Sequence, residues 1–148
     1  MTDSEPQQYE VREPRRDVHI DREQHEMFTE LQETEESPFY GATNHDLFVF
    51  TVGYGMKYTV PKNTEDELAF FGRHQLSEMQ QTVIEAVAIK EERDVRVLRD
   101  KRRVYEIAEE YANAGVEKLY GRVFGPEDDP LSEITVEIKE SYEQASEP

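Results

Sequence analysis

At 148 residues with a net charge of −17 and no cysteine, the chain has room for one domain and excludes disulfides, thiolate catalysis and Cys-ligated zinc. Its 36% hydrophobic residues, with no tryptophan, support only a modest core, and 34% charged residues leave part of the length unpacked. No run of about 18 apolar residues is present to cross a membrane, and the polar start MTDSEPQQYE lacks the features of a signal peptide, so a cytoplasmic location is expected.

The acidity is uneven. Residues 1–36 carry 12 acidic against 4 basic residues, a net of −8; residues 37–126 carry 14 against 12, a net of −2; residues 127–148 carry 8 against 1, a net of −7. The chain therefore divides into a disordered acidic arm at 1–16, a single mostly helical domain at 17–126 with its core in 37–125, and an acidic tail at 127–148. Arginine outnumbers lysine, 11 to 6. Dense carboxylates keep a surface hydrated where salt screens repulsion, so this balance points to a halophilic source; an acidic protein with disordered tails from an ordinary cell is the alternative.

In chain order, Asp17–Ile20 reads as a short strand, and Asp21 caps a helix to about Glu33 whose Met27, Phe28 and Leu31 form a narrow apolar stripe. Ser37, Pro38 and Gly41 break the chain. Asn44 then caps a second helix, His45 to about Lys57, in which Leu47, Phe48, Phe50, Val52 and Tyr54 make it apolar nearly all round. After Pro61, the run Asp66–Arg73 with Leu68, Phe70 and Phe71 reads as a helical turn. Ser77 caps the clearest helix, with Met79, Val83, Ile84, Val87 and Ala88 at intervals of three or four up to Glu92. A connector containing Val95, Val97 and Leu98 reads as extended. Val104, Ile107, Ala108, Tyr111 and Ala112 mark a further helix, which Gly115 separates from a short continuation through Leu119 and Val123. In the tail, Ile134, Val136 and Ile138 alternate with polar residues, predicting an edge strand over 133–139, with Val95–Leu98 or Asp17–Ile20 as its partner.

Together these readings predict a mostly α fold: four or five packed helices, at most a small two- or three-stranded β element, and disordered acidic ends. The expected core is Leu47, Phe48, Val52, Val83, Val87, Ile107, Tyr111 and Leu119.

Chemistry is harder to find. The string Thr51-Val52-Gly53-Tyr54-Gly55 matches a potassium-channel filter, but the flanking membrane helices that such a filter needs are missing; here the glycines serve close packing or end the helix. His19, His25, His45 and His74 are scattered without a metal-ligand spacing, so neither a metal nor a cofactor is predicted. Paired acids such as Glu91-Glu92 read as solvated faces, and no nucleophile elbow, phosphate loop or dinucleotide fingerprint occurs, so no enzyme is predicted. One segment stands against the acidic background: Lys90–Arg103 holds seven basic against four acidic residues, a local net of +3. Its Arg93, Arg96, Arg99, Lys101, Arg102 and Arg103 are the candidate surface for phosphates or an acidic partner, with a salt-bridged, solvated face as the plain alternative. A second nucleic-acid reading comes from the strand followed by two helices, the order of ribbon-helix-helix repressors, with Arg16, Val18, Ile20 and Arg22 on one face of the ribbon.

The blocks Asp46–Lys57 and Tyr105–Leu119 resemble the two signature regions of the family known as DNA phosphorothioation-associated protein 4, or dnd system-associated protein 4. In that family an apolar helix ends in a Leu-Gly-Tyr-like turn, and a Glu-Tyr-Ala-Asn-Gly-Gly-like stretch follows later. Gly53-Tyr54 and Glu110-Tyr111-Ala112-Asn113-Ala114-Gly115 stand at those places, with Val52 where the family tends to have Leu and Ala114 where it has Gly. The resemblance spans roughly Phe39–Phe124, and Gly53, Tyr54, Tyr111, Ala112, Asn113 and Gly115 read as structural positions, Asn113 bonding neighbouring backbone at a helix bend. It implies a non-catalytic accessory protein, an adaptor or regulator, of a DNA phosphorothioation-linked modification and phage-defence system, with a protein partner. The alternative it leaves is a direct DNA-binding regulator of the ribbon-helix-helix type.

Overall fold

The computed structural model describes residues 9–125, whose elements run β1 (Asp17–Asp21), α1 (Arg22–Glu33), α2 (Asn44–Tyr58), β2 (Glu67–Gly72), α3 (Glu78–Glu92) and α4 (Lys101–Phe124). This is the mostly helical fold with a small β element that the sequence predicts. The 24-residue α4 is the axis: at about 1.5 Å per residue it spans roughly 36 Å, and α1, α2, α3 and β1 all pack on it. Its inner side buries Val104, Ile107, Ala108, Ala112, Val116 and Leu119, each 0% exposed.

Local chemistry sets the helix ends. At α3 the Ser77 hydroxyl accepts from the Gln80 amide while the Gln80 side chain accepts from the Ser77 amide, a reciprocal capping box. At α2 the cap is Thr43, one residue before the expected Asn44, and its hydroxyl accepts from the Asp46 amide. Asp21 stands at the start of α1 without capping it; its carboxylate instead accepts from the Glu65 amide at 3.1 Å, tying the β2 entrance to β1.

Several sequence expectations are corrected. Asp66–Arg73 is not a helical turn: it supplies β2, antiparallel to β1, with Val18 opposite Phe71, His19 opposite Ala69 and Ile20 opposite Leu68. The register skips Phe70, and this bulge lets two successive phenylalanines turn inward where strict alternation would expose one. Phe70 packs against Phe28 at 4.7 Å between ring centres and Phe71 against Phe48 at 5.3 Å. The Val95–Leu98 connector is a 3-10 turn, Val95–Arg99, capped by Asp94. Gly115 does not divide α4, which runs unbroken past it. Of the expected core all but Val83 are buried; Val83 is half-buried, and Met79 faces solvent at 72% exposure.

Residues 9–16, assigned by composition to a disordered arm, are extended chain tied to the domain. The Tyr9 hydroxyl donates to Glu92, Arg12 pairs with both oxygens of Asp100, and Arg15 reaches Glu67 and Glu109. Charge pairing and hydrogen bonding across 52 to 94 residues hold a segment whose low hydrophobicity reads as unfolded. The edge strand expected at 133–139 lies outside the described residues, and β1 takes β2 as its partner.

The ribbon-helix-helix arrangement is not formed. Val18 and Ile20, which a ribbon would present to a groove, are 1% and 0% exposed in the chain's own core, because β2 supplies an intramolecular partner and α4 covers the face.

Candidate functional site

Two groups of residues stand out, and the structure places them apart in role. The first is the basic connector between α3 and α4. Arg93 ends α3 in the left-handed region at φ 56°, a conformation that glycine takes more readily, and so turns the chain sharply out of the helix. Asp94 then caps the 3-10 turn through the Arg96 amide, and Asp100 caps α4 through the Arg103 amide. Val97 is buried beneath the turn, leaving Val95 outward at 63% exposure.

Within this connector most of the expected cations are already paired. Arg96 grips Asp94 through two nitrogens, at 2.9 and 2.8 Å. Lys101 meets Glu85 at 3.1 Å, and Arg102 lies 3.9 Å from Glu106. Arg103 is shared among Glu92, Glu106 and Glu110 at 3.4–3.9 Å. Four of the six candidate residues thus belong to a salt-bridged face. Arg93 and Arg99 are exposed and make no ion pair among the described residues. What the connector presents is narrower than the sequence suggests: two unpaired guanidinium groups around an exposed valine.

The second group is the set of signature residues, and all of these but Gly53 are packed in the interior. At the α2–α4 crossing, a Cβ on Gly115 would run into the carbonyl oxygen of Thr51 and stand 3.0 Å from the Gly55 Cα; one on Gly55 would run into the Tyr111 carbonyl. Only glycine at both places lets the two backbones approach this closely. Gly53, two residues away, faces solvent with open space around it and serves neither close packing nor a helix end. Tyr54 stacks between Phe50 and Tyr58, and its hydroxyl accepts from Arg122 at 3.0 Å. Tyr111 donates its hydroxyl to Glu91, and burial together with that bond pushes its pKa up to about 12. Ala112 is 0% exposed.

Asn113 acts at longer range than the expected helix bend. Its Oδ1 accepts from the Asp21 amide at 3.2 Å. One turn earlier, Glu109 Oε2 accepts from the His19 amide at 2.8 Å. Four helical residues rise about 6 Å and two strand residues about 6.7 Å, so side chains spaced four apart on α4 meet alternate amides on β1. These two acceptors replace the missing neighbour strand along the outer edge of β1, satisfying groups that would otherwise be buried unpaired. Nδ2 of Asn113 has no hydrogen-bond partner among the described residues.

Glu109 escaped the sequence reading. It is 2% exposed, and burial pushes its carboxyl up to about 8 against the lowering pull of the His19 amide and Arg15. The available signal was its spacing from Asn113 on an otherwise apolar helical face, which the neighbouring Glu110 hid by making the two look like one more pair of solvated acids. A polar cavity of about 490 Å³ adjoins it, lined by Arg15, Glu67, Arg102, Glu106, Glu109 and Glu110 together with Asn63 and Thr64. Among the described residues no group of three His, Asp or Glu side chains converges to hold a metal ion, and no helix is long and apolar enough to cross a membrane.

The family model described as DNA sulphur modification system-associated protein 4 matches residues 17–148. The chain belongs to that family. No curated protein and no solved structure matches it. For this member of the DNA sulphur modification system-associated protein 4 family, Gly55, Asn113, Gly115 and Tyr111 fix how α2, α4 and β1 meet. The family resemblance seen in the sequence is therefore carried largely by the fold's interior.

Proposed function

We propose that this protein is a non-catalytic adaptor of the DNA sulphur modification system, acting in the cytoplasm by contacting a protein partner through the α3–α4 connector. Membership of the family supports the association with the system. The observation that carries the reading is the division of labour between the two groups: Gly115, Asn113 and Tyr111 of the signature are engaged in holding the elements together, while Arg93 and Arg99 stand unpaired beside the exposed Val95. An aliphatic centre flanked by arginines is the composition of a protein contact, since Arg is enriched and Lys depleted in such patches. It fits an acidic partner surface.

The runner-up is direct contact with the DNA backbone through the same arginines. Two free cations would neutralise few phosphates, and the chain's net charge of −17 opposes approach to a polyanion. The test is a binding titration of the full chain against the co-purified proteins of the modification system, repeated with Arg93→Glu and Arg99→Glu combined. Binding to a protein component that the charge reversal weakens at least tenfold supports the adaptor reading; undiminished binding removes the connector from it. Binding to duplex DNA with affinity that falls steeply with salt, in the absence of those proteins, favours the runner-up.

A further inference from the structure

The arm at residues 9–16 lies on a track of acceptors that would be costly to leave empty. Asp100 is 6% exposed and takes both the Nε and the terminal nitrogen of Arg12, at 2.8–3.0 Å. Glu67 takes a two-point grip from Arg15 at 3.1 Å, and the same guanidinium reaches the buried Glu109. The Lys101 amide donates to the Arg12 carbonyl, a strand-like contact beside Asp100, and Tyr9 donates to Glu92. The side-chain contacts to carboxylates thus fall at Tyr9, Arg12 and Arg15, every third residue of the segment, and the Arg15 and Arg16 carbonyls accept from Arg73 where the arm runs into β1.

The arm's apolar anchoring is confined to Tyr9, which packs half-buried against the core; Val11 is 72% exposed. Its hold is charge and hydrogen bonding, the kind of attachment that opens locally and weakens with salt. Simple departure would strand a largely buried Asp100 without its cation, which is strongly unfavourable. Exchange for another segment carrying guanidinium groups at the same spacing avoids that cost. Beside the Arg15 end, the polar cavity holds four carboxylates against two arginines and offers room for such a segment to enter.

We infer that this track is a docking site for an extended arginine-bearing segment of a partner protein, with the pattern aromatic-x-x-Arg-x-x-Arg, and that the chain's own residues 9–16 occupy it as an exchangeable strap. The surface is distinct from the α3–α4 arginines of the adaptor reading, and its test does not depend on theirs. The pattern is what the strap itself demonstrates: Tyr9, Arg12 and Arg15 show which side chains the seats accept. In the resting chain the strap competes at the effective concentration of a tethered ligand, on the order of millimolar.

The experiment uses a labelled synthetic peptide with the sequence of residues 9–16 and the full-length chain, wild type and with Arg12→Ala and Arg15→Ala combined. The double variant is expected to bind the peptide at least tenfold more tightly than wild type does. The affinity should fall with added salt, and a peptide carrying both alanines should not bind. Equal binding to the two chains, or none to the double variant while circular dichroism shows it folded, overturns the inference. Should the double variant unfold, the same competition is read on the wild type, where excess peptide must speed amide exchange of residues 9–16 and leave β1 unchanged; no such effect is also fatal to it. A concentration-dependent dimer that the double variant cannot form would place a second copy's arm in the seat and overturn the partner assignment.

Discussion

Replacing Gly115 with alanine sets two known effects against each other. Helix propensity alone favours alanine by about 1 kcal/mol at a helix interior. The crossing opposes it: the new Cβ meets the Thr51 carbonyl oxygen and, at 3.0 Å, the Gly55 Cα, and neither is the end of a flexible side chain that can swing away. Overpacking of this kind costs about 1–3 kcal/mol, and backbone obstacles place it at the upper end. The net expectation is destabilisation by roughly 2 kcal/mol, or a fall in Tm of about 8 °C for a domain of this size. Gly53→Ala is the internal control, since it lies on the same family motif with open space around its Cβ and should gain about 0.5–1 kcal/mol. Urea unfolding followed by circular dichroism, with the slope against denaturant unchanged, reads both values. A Gly115→Ala variant more stable than wild type by about 1 kcal/mol would refute the close crossing, because propensity would then be the only effect operating.

Asn113→Ala leaves the Asp21 amide buried without an acceptor and should cost about 1–3 kcal/mol, with hydrogen exchange rising at Asp21 while Ile20 stays protected. Phe48→Ala, at a side chain 0% exposed, should cost about 3–5 kcal/mol, whereas Met79→Ser, at a position 72% exposed, should stay within about 0.5 kcal/mol in the same melting assay. Glu109 carries a pH signature: its carboxyl is raised from 4.5 to about 8, so the native state holds the proton more tightly than the unfolded chain. Its contribution is then fully present below about pH 4.5 and is lost as pH rises towards 8. Glu109→Gln cannot titrate, so its stability relative to wild type should improve across that window; a difference that stays constant with pH contradicts the assignment.

How much was legible depended on the range of the interaction. The apolar run of α2, the cap of α3 and the apolar positions of α4 are local and stand in the sequence; the Ser77 to Gln80 box is an example. The strand β2 was not, because Phe70 and Phe71 are adjacent and only the bulge opposite β1 makes both inward. Gly115 reads as a break when seen alone; its role appears only with Thr51 and Gly55 beside it, some 60 residues earlier in the chain. The same holds for Asn113 and Glu109, whose partners on β1 lie about 90 residues away. The basic run was visible as charge, but its pairing with Glu85, Glu92, Glu106 and Glu110 depends on how α3 and α4 dock, which reduces the free cations among the six candidates to Arg93 and Arg99.

The most direct test of the adaptor reading is the affinity of the full chain for the purified proteins of the DNA sulphur modification system, measured with and without duplex DNA. An adaptor of this kind binds a protein component saturably without DNA, and combined Arg93→Glu and Arg99→Glu weakens that binding at least tenfold. Binding that requires DNA, or that the two reversals leave untouched, would contradict it.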